Sequence, residues 1–346
     1  MFSLKRLGAF FNGWGGLSVW AALLILLSLY PGTGPTGAGL LTATQVFMLI
    51  TLASSWNLIG GMTGYVDFGH AVFFGIGAYT MGILVTRVQD YLIFSPQLGF
   101  WQALPLAGLV AVVFALLVGL PTLRLKGPYF SIAMLGTFVA MREMIRILRP
   151  ITGGGRGLDL PPILNRENDY FFMLILMGLT VALMWWIRRS EFGQTLIAIR
   201  EDETGAEMRG INTTQHKVLA FMMAAFITSL VGAFWAWQNT YIDPDVVFVE
   251  QRTVEMVMMS MLGGLGTVWG PPLGATILYF MQDLLWGNFL DFHLLALGVL
   301  LILLVLFVPE GILGTFGDRS STSLGKLLGR MGGSRDGQRP GASDKT

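Results

Sequence analysis

Cysteine is absent from this 346-residue chain. That excludes a disulfide frame, a thiolate metal site and a cysteine nucleophile. Charge is scarce as well. Only 12% of residues are Asp, Glu, Lys or Arg, against about 25% in a soluble domain. The formal net charge is +1, so no global field recruits nucleic acid. The histidines, His70, His216 and His293, lie far apart, and no ligand cluster surrounds His70. The phosphate-cradling pattern G-x-x-x-x-G-K-[ST] is missing, even at Gly325–Lys326, where Leu327 follows the lysine. Neither H-E-x-x-H nor G-x-S-x-G occurs. Without a nucleophile–base pair or a metal constellation, an enzyme reading has no chemistry to stand on. The chain is expected to hold no metal and no cofactor of its own.

Apolar residues fill the space that charge leaves: 53% of the chain is hydrophobic and the mean hydropathy is +0.64. The apolar runs are continuous rather than alternating, which argues against a β-barrel and for an all-α, polytopic membrane protein. Ten spans are expected, roughly at 17–31, 40–60, 65–87, 101–122, 128–148, 170–188, 217–239, 253–271, 272–287 and 294–310, each near the ~20 residues a span needs. Lys5 and Arg6 before the first run resemble a signal peptide, but no small-x-small cleavage site follows, and a first membrane helix is the better reading.

The bias of Lys and Arg toward the cytoplasm orients the chain. Lys5 and Arg6 place the N-terminus inside. Arg124 and Lys126, the group from Arg188 to Lys217, and the tail with Arg319, Lys326, Arg330, Arg335 and Arg339 all then fall inside too. Arg142, Arg146 and Arg149 do not fit; they come out near the outer face, where Glu143 is a candidate partner. The domain reading is a transmembrane unit over 1–316 and a disordered cytoplasmic tail over 317–346, rich in Gly, Ser and charge. Membrane lipid is the chain's other neighbour. The longest outer loop, Ile151–Asp169, carries glycines and the Pro161–Pro162 pair, which deny it a regular helix.

Two glycine-rich segments interrupt the apolar pattern, Gly60–Thr80 and Gly263–Ala275, each opening on a Gly-Gly pair. Irregular backbone at membrane depth survives only inside protein or along a wet cavity. Paired interruptions in opposite halves point to a pathway near an internal symmetry axis. Gly60, Gly61, Gly64, Asp67, His70, Gly263, Gly264 and Gly266 are therefore the candidate pathway residues. Tight helix packing with ordinary turns is the competing structural reading. Asp67 and His70, spaced i, i+3, are functional candidates as ionisable groups at depth, although the flanking glycines favour a hydrogen-bonded pair in a loop near the cytoplasmic face. A proton-driven transporter would want a chain of such groups, and only Asp67, Glu143 and Glu255 stand out, each isolated. Pro271–Pro272 removes two backbone donors and must break or bend its helix.

The stretch Glu191–Lys217, EFGQTLIAIREDETGAEMRGINTTQHK, is polar and helix-like between two apolar runs. Arg200, Glu201, Asp202, Glu203 and Glu207 form a dense charged surface, and a short helix is expected to end near Gly210, with glycine as its cap. Glu203 and Glu207 repel at i, i+4, which favours a basic partner surface over a merely solvated helix. A chain without ATP chemistry that presents such a knob reads as the membrane half of a two-part machine.

These residues also carry a resemblance. TGYVDFGHAVFFGIGAYT (63–80), RLKGPYFSIAMLG (124–136), the run 193–221, MLGGLGTVWGPPLGA (261–275) and LFVPEGILG (306–314) resemble the permeases of bacterial branched-chain amino-acid ABC transporters, in order and over about 40–315. The LivM-type subunit is the most similar. The resemblance implies a location in the bacterial inner membrane and a second, LivH-like permease. It also implies two cytoplasmic ABC ATPases that bind ATP-Mg, and an extracytoplasmic substrate-binding protein. It puts the ATPase-coupling element at 191–217, with matched positions at Ala198, Arg200, Glu203, Ala206, Gly210 and Ile211; together with the charged surface this makes Arg200, Glu201, Glu203, Ala206, Glu207 and Gly210 the candidate coupling residues. Thr204–Gly205 stands where the stricter E-A-A-x-x-x-G loop of other ABC importers has Glu-Ala. Relatives implied by the same pattern import urea, short amides or sugars, so cargo is left to the binding protein. The rival of another class is a self-sufficient secondary transporter with the two glycine breaks as its site.

Overall fold

In lipid, a backbone has no water to satisfy it, so long apolar runs must close their hydrogen bonds within helices. The computed structural model describes residues 14–86, 99–161, 165–288, 298–299, 302 and 311–313, and helices dominate them. They are α1 (Trp14–Leu29), α2 (Gly37–Ile59), α3 (Ala71–Thr86), α4 (Phe100–Thr122), α5 (Pro128–Ile147), α6 (Arg166–Arg189), α7 (Glu191–Glu201), α8 (Glu203–Met208), α9 (Thr213–Asn239), α10 (Glu250–Gly263) and α11 (Gly270–Asn288). Five candidate spans are long and apolar enough to cross a bilayer: Gly15–Thr33, Gly37–Ile59, Phe100–Thr122, Arg166–Arg189 and Thr213–Asn239. The chain is a polytopic helical membrane protein.

Helices α9 and α2 form the centre. Helix α9 lies against α2, α3 and α4, while α2 also meets α6, α10 and α11. Burial separates centre from edge: 67% of the apolar window of α9 is buried, against 11% of that of the first span. Helices α3 and α9 cross closely. A Cβ on Gly77 would lie 2.0 Å from the Ser229 carbonyl oxygen, and one on Gly232 would lie 2.0 Å from that of Phe74. Small residues let these two backbones touch, the usual substitute in membranes for a hydrophobic driving force between helices.

Several expected boundaries move. The span expected at 65–87 becomes a helix only at Ala71, because residues 60–70 are taken up by turns and extended chain. The spans at 253–271 and 272–287 do not abut. Helix α10 stops at Gly263 and α11 starts at Gly270, with Pro271 and Pro272 in its first turn, where missing N–H groups cost nothing. At 14 residues, α10 is about 21 Å long, short of the ~30 Å hydrocarbon core. The expected loop at 151–169 contains small ordered pieces: a helical turn at Arg149–Thr152, a 3-10 turn at Gly154–Arg156 and the strand β1 (Leu158–Asp159). Strand β1 pairs antiparallel with β2 (Tyr241–Ile242), in the register Leu158 to Ile242 and Asp159 to Tyr241. The expected span at 294–310 lies almost wholly outside the described residues, and the tail at 317–346 lies entirely outside them.

Two of the three misfit arginines find acids. Arg142 lies 3.0 Å from Glu250 and 3.6 Å from Glu143. Arg146 bonds Glu143 at 2.8 Å and also pairs with Asp245, in the helical turn Pro244–Val247 that follows β2. Arg149 opens the short turn just beyond. This ionic cluster ties the end of α5 to the start of α10.

Candidate functional site

At the opposite end of α10, the two glycine-rich segments meet. Asn57, in the last turn of α2, joins them. Its amide nitrogen donates to the Thr267 carbonyl at 2.9 Å, and its amide oxygen accepts from the Gly266 N–H at 2.9 Å. A Cβ on Gly61 would lie 2.6 Å from the Gly266 nitrogen. Gly266 itself has φ +74°, a left-handed conformation that favours glycine. Segments some 200 residues apart in sequence thus form one element whose backbone polar groups are answered from within the protein.

The polar stretch 191–217 folds onto this element. Three short polar side chains partition it, each accepting a backbone N–H at a helix start: Ser190 from Gly193, Asp202 from Gly205 and Asn212 from Gln215. The expected short helix ending near Gly210 is α8, which stops at Met208, but it is not the whole of the stretch. There are two helices, α7 and α8, broken at Asp202. Gly210, at φ +85°, follows the Arg209 cap. Arg200, in the last turn of α7, reaches back across the glycine element. Its Nη1 donates to the Gly61 carbonyl at 2.7 Å and lies 3.4 Å from the Leu265 carbonyl. One guanidinium therefore holds both glycine-rich segments to α7.

Glu203, expected on a charged outer surface, turns inward instead, because a buried cation lies beneath it. Its Oε1 accepts from Lys217 Nζ at 2.6 Å and its Oε2 from the Tyr65 hydroxyl at 2.5 Å. Burial alone would raise the Glu203 carboxyl. The hydrogen bonds from Lys217 and Tyr65, with the Lys217 charge, overcome that and hold it below the usual carboxylate value. The repulsion between Glu203 and Glu207 loses its force here. Glu207 is exposed, accepts from the Thr213 hydroxyl at 3.0 Å and lies 3.8 Å from Lys126. Ala206 is buried on the inner face of α8, while Glu201, Met208 and Gly210 face outward. Met208 is 86% exposed, leaving an apolar tip on this knob.

Asp67 and His70 sit deeper. His70 Nδ1 lies 2.8 Å from Asp67 Oδ2, and Nε2 lies 2.9 Å from Thr228 Oγ1. Thr228 also meets the Ser55 hydroxyl at 2.7 Å, and the other Asp67 oxygen accepts from the Gly69 N–H. Both ionisable groups are fully buried. Thr228 lies near the midpoint of α9, so the pair is embedded among α2, α3 and α9. Gly64, at φ +76°, faces the aliphatic stem of Arg200. Gly60 caps α2 and Gly264 caps α10. Among the described residues there is no group of three or more His, Cys, Asp or Glu able to hold a metal.

Sequence reasoning missed Asn57, Tyr65 and Lys217. Asn57 carried a usable signal: an amide in an apolar helix one turn before Gly-Gly is costly unless it has work there. Lys217 was counted only as a cytoplasmic positive charge, and nothing nearby in sequence names its partners.

A family model described as "Branched-chain amino acid transport system / permease component" matches residues 39–308. Among curated proteins, the chain is 29% identical to the high-affinity branched-chain amino acid transport system permease protein LivM of Salmonella typhimurium, over 84% of this chain and 73% of that one. It is 25% identical to the permease protein LivH of the same kind of system in Escherichia coli, over 78% and 94%. It is also 28% identical to the autoinducer 2 import system permease protein LsrC of Yersinia pseudotuberculosis, over 81% and 82%. No solved structure matches the chain.

Proposed function

Because this chain belongs to the branched-chain amino acid transport permease family, and is thereby a membrane subunit of an ABC importer rather than an enzyme, we propose that its cargo is a branched-chain or other apolar amino acid. In this reading it pairs with a LivH-like permease in the bacterial inner membrane, both termini in the cytoplasm. Two ABC ATPases bind ATP-Mg beneath the pair, and an extracytoplasmic binding protein delivers the amino acid. The chain itself supplies the path and the mechanical link.

The observation that carries this reading is the reach of Arg200 from α7 to the Gly61 and Leu265 carbonyls. A push on α7 and α8 from an ATPase would pull on both glycine-rich segments at once. Those segments lie where α2, α3, α10 and α11 end or begin, so their displacement would re-aim four helices. The exposed outer face of α8, with Glu207 and Met208, is the surface offered to the ATPase.

The test is uptake into ATP-loaded proteoliposomes holding this chain with its partner permease, ATPases and binding protein. Labelled leucine should enter only when ATP and the binding protein are both present. Urea or autoinducer 2 entering in place of leucine would keep the machine and replace the cargo. Uptake by this chain alone, driven by a sodium or proton gradient, would make it a secondary transporter instead.

A further inference from the structure

Lys217 is almost fully buried, with 1% of its side chain exposed, and its ammonium has three donors. Each is used on a different part of the protein. Nζ lies 2.8 Å from the Tyr65 hydroxyl in the first glycine-rich segment, 2.8 Å from the Leu123 carbonyl at the end of α4, and 2.6 Å from Glu203 at the start of α8. It also sits 4.1 Å from the centre of the Tyr65 ring. The Tyr65 hydroxyl closes the circuit by donating to the second Glu203 oxygen. Lys217 itself belongs to α9, the central helix, so four separate segments converge on one ammonium.

Such a pair is a poor device for stability. Desolvating two charges costs roughly what their attraction returns, and apolar side chains of equal volume often serve as well. What it does supply is a single geometry, since each donor and acceptor has one place to go. The Arg200 contact fixes the glycine-rich element to α7. A second tie joins α8 to α9, from the Thr213 hydroxyl to the exposed Glu207, but it is neutral on one side and reaches no third segment.

We propose that Lys217 is a positioning residue for energy coupling: through Glu203 and Tyr65 it locks α8 to α9 and to the first glycine-rich segment, so that motion of the cytoplasmic helices enters the membrane core as one rigid step. This rests on the importer reading above. When the lock is absent, α8 slides on the end of α9 and the stroke is lost as slack.

The experiment compares uptake per ATP hydrolysed in the reconstituted complex for wild type, Lys217→Met, Lys217→Arg and the double variant Lys217→Met with Glu203→Met. The double variant leaves no unpaired buried charge, so it keeps the test alive should Lys217→Met fail to fold. The double variant should insert, co-purify with its partners and hydrolyse ATP, while amino acid moved per ATP falls about tenfold or more. Recovery of the ratio by Lys217→Arg supports the proposal. A wild-type ratio in the double variant overturns it, as does parallel loss of hydrolysis and uptake, which would make the cluster only structural. If the wild-type complex shows no ATP-dependent uptake, the importer reading itself has failed and the proposal falls with it.

Discussion

The two glycine-rich segments meet at one face of the protein, yet they hold their shapes by different means. Residues 60–70 are held by side chains. Asp67 and His70 bind each other and Thr228, Trp56 donates its ring N–H to the Asp67 carbonyl at 2.8 Å, and Tyr65 is engaged by Glu203 and Lys217. Residues 263–275 add to their polar ties, from Asn57 and Thr267, a closeness that only their glycines allow. A Cβ on Gly263 would lie 1.7 Å from the Gly270 carbonyl oxygen, and one on Gly274 would lie 1.8 Å from that of Met259. Irregular backbone within a membrane protein can thus be made safe by polar partners alone or by polar partners together with backbone packed too tightly for a side chain. The first solution is sensitive to loss of a polar atom, the second to gain of a carbon.

Gly263→Ala attacks the second segment at its tightest point. The clash is with backbone, which cannot swing aside as a side chain can, so destabilisation should exceed about 3 kcal/mol. Membrane-inserted protein recoverable in mild detergent should be nearly lost. A wild-type yield and melting temperature would show that α10 and α11 are not in backbone contact there.

His70→Ala attacks the first. It leaves one oxygen of the buried Asp67 side chain without its partner and takes one of two partners from the Thr228 hydroxyl, at a cost of about 1–3 kcal/mol. Thermal unfolding in detergent should shift down while the protein still inserts. If His70→Ala melts like wild type, side-chain ties do not hold residues 60–70.

Gly266→Ala strikes where the two segments touch. Its φ of +74° makes a side chain cost about 1–2 kcal/mol. The added carbon would lie 2.5 Å from Arg200 Nη1, so the guanidinium must leave the element. Uptake should fall further than the folded fraction does, while ATP hydrolysis continues. Uptake that simply tracks the folded fraction would remove Arg200 from the coupling path.

Acid offers the mildest probe, and it reaches only the first segment. The Glu203 carboxyl is held below its ordinary value of 4.5, in contact with Lys217 and Tyr65 and within the field of Lys126. A depressed carboxylate lends stability that is present above its unfolded pKa and is lost as pH falls through the folded one. The stability difference between wild type and Glu203→Gln should be constant near neutrality and shrink below about pH 4.5. A difference that does not change on acidification would mean that Glu203 is not ionised in the pair.

Much of this architecture was legible in the residues. Continuous apolar runs at low charge left helices as the only backbone solution, and Gly60–Gly61 and Gly263–Gly264 marked where those helices stop. The polar run 191–217 announced an element outside the lipid, because lipid could not hold it. The division of that run at Asp202 was also written locally, in a side chain suited to cap the next helix. The inward turn of Glu203 was not. Its charge looks the same in sequence whether it meets solvent or a buried ammonium, and helical spacing paired it with Glu207, the wrong neighbour.

Local chemistry therefore determined the class of the protein, the places where its helices break and the absence of a P-loop for nucleotide. Those follow from hydropathy, glycine and proline, which act on their own stretch of backbone. Only the tertiary structure decided that Asn57 joins the two glycine-rich segments, that Arg200 reaches both, and that Lys217 gathers Tyr65, Leu123 and Glu203. These contacts span from 14 to 210 residues of chain. A hydrogen bond or an ion pair acts over a few ångströms, so its partner is set by which helices pack together and not by anything adjacent in the sequence.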